Sequence, residues 1–217
     1  GHAVDQHTYS HISLIQEPLE KIDREIAVTK SLMESRLGIV NIGLRGPGGY
    51  KQGLQGREDV QQVILKNGIK FVSTQYPYTE PWEKRRGSEI DQRSIEMIAD
   101  LQPYYYPSGL LEIPLCGFSD RHFLDGMGRP LNDWIKYLKK CVDYVYERGL
   151  TFNACLHPIT HLKYDPEGRV LEELLLHCRE KREEVFVCTQ RDVYRWVTSQ
   201  TENAYGRVSP IPFPNKH

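Results

Sequence analysis

The strongest constraint on this chain is a repeated change in the spacing of its apolar residues. Stretches in which they recur three or four apart alternate with short, nearly continuous apolar runs. The first pattern suits one face of a helix and the second a strand buried on both faces. Ile15, Leu19, Ile22, Ile26, Met33 and Leu37 form the first helical stripe, with Pro18 near its start and Gly38 as its stop. IVNIGLRG (39–46) reads as a strand, 57–68 as a helix closed by glycine, and IKFVSTQY (69–76) as a second strand. Residues 77–109 are polar and rich in Pro and Tyr, a long insertion with a short helix expected near DQRSIEMIADL.

A third strand follows at 110–118, with Pro114 hinting at an edge or a bulge. Residues 131–149 form the clearest helix, with Leu131, Trp134, Ile135, Leu138, Cys141, Val142 and Val145 on one stripe. Strands are expected at 150–158 and 185–189, a helix at 169–184 and a short one at 191–197, before the proline-rich SPIPFPNKH. This alternation predicts an α/β fold with a parallel sheet, either open and doubly wound or closed as a barrel. With 217 residues the chain suits one sizeable core better than two.

In either arrangement chemistry is expected at the carboxyl ends of strands. Arg45, Asp120, His157 and Thr189-Gln190 all fall there. Near the start of the chain, His7 and His11 lie four apart in HTYSH. On a helical turn two such imidazoles share a face and can bind one cation; otherwise they are two surface histidines. A catalytic zinc would still need a third ligand, such as a carboxylate. In GLRGPGGY (43–50), Arg45 could hold a carboxylate in a bidentate fork, or the segment could be an ordinary turn with a solvated arginine. The glycines match neither a dinucleotide nor a P-loop pattern. His157 in LHPITH is a candidate general acid or base, with a satisfied core histidine as the alternative. Pro158 is expected to end the strand, and His161 to point into the loop that follows. Asp120 could orient a histidine, bind substrate or cap the next segment.

Charge and composition exclude other classes. The net charge of −1 suggests neither a nucleic-acid nor a membrane partner. Hydrophobic residues at 39% and charged residues at 26% read as globular. No run approaches the roughly 18 apolar residues of a spanning helix. The five cysteines form no CxxC and sit mostly among apolar residues, which favours buried free thiols. The compartment is not legible, because the chain shows neither a start methionine nor a signal peptide.

Taken in order, these stretches resemble the NodB-like polysaccharide deacetylases, carbohydrate esterase family 4. GHAVDQHTYSH is similar to that family's second motif, LRGPGG to the third and ACLHP to the fifth; IPLCGFSD stands where the fourth is expected. The resemblance runs to about residue 197. It implies a distorted (β/α) barrel with fewer than eight strands and a metal-dependent hydrolase that removes N-acetyl or O-acetyl groups from carbohydrate. By the same resemblance His7 and His11 bind a divalent metal, often zinc, and His157 is the general acid that protonates the leaving amine. Arg45 orients the catalytic base, and Asp120, Phe118, Pro47 and Tyr50 line the substrate site.

The family's Asp-Asp motif, which supplies the base and the third ligand, occurs nowhere in this chain. The expectation is therefore an N-terminally incomplete catalytic domain over 1–198, lacking a first βα unit of roughly 30 residues, followed by a tail over 199–217. A barrel without its first strand would expose sheet edges, where a second chain could pair. Two other functions compete. One is a carbohydrate-binding protein without turnover, suggested by the tyrosines of QYPYTEPW and QPYYYPSG. The other is a hydrolase of a non-sugar amide, since some relatives act on small cyclic amides.

Overall fold

The computed structural model describes residues 2–77, 88–181 and 185–200. The chain forms two compact units. The first comprises the described residues within Gly1–Pro77, Pro103–Pro114 and Cys188–Val208, the second those within Tyr78–Gln102 and Leu115–Val187. The tail over 199–217, beyond Gln200, lies outside the described residues, as does most of QYPYTEPW.

The first unit is built on a four-stranded sheet. Helix α1 (Leu19–Leu37) begins directly after Pro18 and buries Ile22, Ile26 and Met33. Gly38 stops it in the left-handed conformation, φ 64°, where a residue without Cβ is least strained. Strand β1 (Gly43–Tyr50) leads through α2 (Glu58–Lys66) into β2 (Phe71–Gln75). Strands β3 (Tyr104–Tyr105) and β4 (Leu111–Glu112) complete the order β1-β2-β4-β3. β1, β2 and β4 are parallel, whereas β3 runs antiparallel to β4. Helix α7 (Gln190–Gln200) belongs to the same unit, with Tyr194 packed at 5.8 Å from Phe71.

Two differences from the expected strands bear on function. The first strand starts later and runs farther than 39–46, so Arg45 sits within it, paired with Ser73, rather than at its mouth. The outer edge of β1 has a neighbour from the chain itself: Gln6 bridges Leu44 in parallel, its N–H donating to Gly43 O and its carbonyl accepting from Arg45 N. Asp5 anchors this approach. Its carboxylate accepts from the N–H groups of Ile42 and Gly43 and pairs with Arg191 of α7 at 2.8 Å.

The second unit is helical. It contains α3 (Ser88–Glu96) with a 3₁₀ turn over Met97–Asp100, as expected of the insertion. It also holds a short π-helix (Arg121–Gly126), α4 (Leu131–Arg148), α5 (Pro158–Tyr164) and α6 (Arg169–Glu180). The α4 stripe is buried as the spacing predicts, from Trp134 to Val145. Residues 150–158 and 185–189, expected as strands, form none, and Pro158 already belongs to α5. The first stretch bonds to 115–120 through Cys116 N to Asn153 O and Asp120 N to Cys155 O. The architecture is thus α/β with a four-stranded sheet, and no closed barrel is formed among the described residues. Nor does any described helix have the length and apolar character to cross a membrane.

The aromatic segment 102–109 packs inward. Tyr104 and Tyr106 are buried, which removes two of the rings that suggested sugar stacking. Tyr106 OH accepts from Leu54 N and donates to Glu112. Glu112 is fully buried and also accepts from Thr74 N, Thr74 Oγ1 and Gln75 N, at 2.6–2.9 Å. Burial pushes its pKa up, and these four donors oppose the shift. Glu112→Ala strands all four donors and opens a cavity. Urea denaturation is expected to show a loss of about 3–5 kcal/mol, with Glu112→Gln costing less; equal stability of the alanine variant would contradict the hub.

Candidate active site

In the first unit the structure brings His7, His11 and Arg45 together. The segment His7–His11 is not helical, contrary to the expected single turn. Thr8 (φ 61°) and His11 (φ 59°) are instead left-handed, the only described non-glycine residues with positive φ. That geometry costs roughly 1–3 kcal/mol per residue and is kept where surroundings enforce it. Here Ile12 N donates to Thr8 Oγ1, and Ser10 donates from N and Oγ to the Glu25 carboxylate. The loop delivers what a helix would have: the two imidazoles lie edge to face, ring centres 4.8 Å apart.

His7 Nδ1 lies 2.8 Å from the Arg45 carbonyl oxygen. A carbonyl only accepts, so Nδ1 carries the proton and Nε2 is the basic nitrogen, the state in which histidine binds metals. Arg45 thus orients His7 through its backbone, while its Nη1 donates to Ser73 O at 2.7 Å. His7 and His11 are thus two neighbouring imidazoles, one with its tautomer set. They do not complete a site, for no cluster of three His, Cys, Asp or Glu side chains occurs among the described residues. Asp5 adds no third ligand, being committed to the β1 backbone and Arg191.

The second unit pairs Asp120 with His157. Asp120 caps the π-helix, accepting from Arg121 N at 2.7 Å. Its side chain is fully buried, and it takes His157 N on Oδ2 at 2.6 Å and His157 Nδ1 on Oδ1 at 2.5 Å. Both residues sit where extended chain turns into helix, His157 as the residue before Pro158 opens α5. The far nitrogen, Nε2, lies 4.0 Å from Cys155 Sγ. The Asp120 carboxylate, and after it the Cys155 contact, raise the His157 pKa from 6.5 to about 9, against the opposing effect of burial.

Other sequence expectations change with burial. Phe118 is 2% exposed and packs on Tyr137. Tyr50 is 7% exposed, its hydroxyl taking Leu14 N at 2.7 Å, and Pro47 is buried in β1. No exposed side-chain surface stands behind their expected contact with substrate. Asp120 likewise faces His157 rather than open space, so of its three readings the structure realises helix capping and histidine orientation. His161, expected in a loop, lies on α5 with its ring facing Asp120. The spacing His157, His161, Asp165, each four apart after a proline, was the available signal.

No family model matches the sequence, and neither does any curated protein. Solved structures do match. "Crystal structure of putative polysaccharide deacetylase from Mycobacterium smegmatis" aligns over 98% of this chain and 68% of that one, at 15% identity and TM-score 0.68. A PuuE allantoinase aligns over 94% of this chain and 61% of its own, at 17% identity and TM-score 0.67. The chain therefore has a NodB-like deacetylase fold. It spans roughly two thirds of the length of the structures it matches.

The raised pKa has a consequence for stability. A histidine at about 9 in the folded state and 6.5 unfolded stabilises the fold fully below pH 6.5, and the contribution is lost as pH rises through about 9. Urea denaturation across this window is expected to show a fall in stability that Asp120→Asn flattens; parallel profiles would contradict the pairing.

Proposed function

We propose that this chain carries catalytic groups of a metal-dependent hydrolase that removes acetyl groups from N-acetylated or O-acetylated carbohydrate. The observation that carries the reading is the Asp120–His157 pair. A histidine with a pKa near 9 is protonated at neutral pH, so it enters a reaction as an acid. Asp120 fixes Nδ1–H, which leaves the Nε2 proton as the one available to a leaving nitrogen or oxygen. Asp120 also stabilises the imidazolium until transfer.

His7 and His11 contribute two ligands in this reading, with His7 held in the metal-binding tautomer by Arg45 O. A divalent metal such as zinc, if held by these two residues, would supply Lewis-acid polarisation of a carbonyl. No third ligand joins His7 and His11 in a cluster among the described residues. The fold match to a polysaccharide deacetylase supports the acetylated-sugar substrate. The match to an allantoinase favours a second reading, hydrolysis of a cyclic amide, in which His157 protonates a ring nitrogen.

The test uses the full-length protein, assayed for acetate from chitooligosaccharides and acetylated xylan and for ring opening of allantoin. Metal content is measured alongside. His157→Ala is expected to lower kcat about 100-fold or more without changing metal content, whereas His11→Ala loses the metal. Ring opening without acetate release would select the second reading. Turnover indifferent to chelators and to His11→Ala would overturn the metal role.

A further inference from the structure

His161 is the one histidine of the second unit with a buried nitrogen that makes no hydrogen bond among the described residues. Its ring lies between two carboxylates that are themselves buried. Nε2 is 3.7 Å from Asp120 Oδ2, and Nδ1 is 3.7 Å from Asp165 Oδ2. Asp165 is held in turn, its oxygens accepting from Arg169 N and Val170 N at the start of α6. A neutral imidazole has one N–H for two carboxylates, while the doubly protonated ring has one for each. A shift of about 0.8 Å would bring either contact to charge-assisted hydrogen-bond length.

Asp120 shows why a second holder matters. Oδ1 takes the His157 ring, while Oδ2 takes only the His157 backbone N–H and faces His161. Rotation of the carboxyl group would break the bond to His157 Nδ1. The side chains facing this cluster are Asp120, His157 and Cys155 on the segment before α5, and Asp165, while Arg121 and Arg169 meet it through their backbone N–H groups. None of them donates a described side-chain hydrogen bond to Oδ2, and His161 Nε2 stands 3.7 Å from it, not yet bonded.

We propose that His161 is a positioning residue for His157: from α5 it holds Asp120 through Oδ2, braced by Asp165, and so keeps Oδ1 on the His157 ring. The consequence rests on the reading of His157 as proton donor, but its test does not require turnover.

The experiment is a histidine-selective ¹⁵N NMR titration of the full chain, with the His157 signals assigned by their loss in His157→Gln. In wild type the His157 midpoint is expected at about 9. His161→Phe, which fills the space without a donor, should lower it by at least about one pH unit, a tenfold change in the ionisation constant. His161→Gln, which keeps a donor, should retain most of the wild-type midpoint. His161→Leu is read in the same way should the phenylalanine variant not fold. A midpoint that stays or rises in the donor-free variants, or that falls equally with glutamine, overturns the proposal. A lowered midpoint in a protein that hydrolyses neither sugar esters nor amides would leave the positioning intact and refute the hydrolase; the converse pattern would do the opposite.

Discussion

A carboxylate with no contact with water must be met by donors or lose its charge, and much of the second unit is arranged around meeting Asp120. Three donors do so: the N–H groups of Arg121 and His157 and the ring of His157. The first starts the π-helix. The other two tie that helix start to the residue before α5, across a separation of 37 positions. No strand is assigned to 115–120 or 153–157, and this polar junction adds to the backbone bonds that join them. The bond that closes the fold locally is also the one that keeps a proton on His157.

The first unit solves the same problem twice. Glu112 gathers backbone and hydroxyl donors from β2 and Tyr106, and Asp5 gathers the start of β1 and the guanidinium of Arg191. Asp5 holds the chain close to β1 at Gln6, and one residue later His7 reaches the Arg45 carbonyl. The strained Thr8 and His11 follow at once. The anchor and the strained loop together set the two imidazoles edge to face, with ring centres 4.8 Å apart.

Much of this was legible in the sequence. The α1 and α4 stripes, the glycine stops and the strands around Leu44 and Val72 follow from local periodicity, because burial there is set by neighbours a few residues away. The fourth and fifth strands failed for the opposite reason. TFNACL and VFVC have strand-like composition, but pairing depends on a partner edge that no short window specifies. The pairing of Asp120 with His157 spans the whole of α4, so spacing could nominate each residue and not the contact. Phe118 and Tyr50 were read as lining a site because of what stands beside them, and their burial reflects packing against Tyr137 and Leu14. The role of His161 needed only the helix after Pro158, which is preorganised for a first turn.

The proposed proton donation depends on His157 keeping its ring proton at neutral pH. A histidine-selective ¹⁵N titration of the unmodified protein tests it most directly. Both His157 nitrogens are expected to stay protonated at neutral pH, with Nε2 titrating at about 9. A midpoint near 6.5, the value of an unpaired imidazole, would mean that Asp120 does not hold the proton and would contradict a His157 that is protonated at neutral pH.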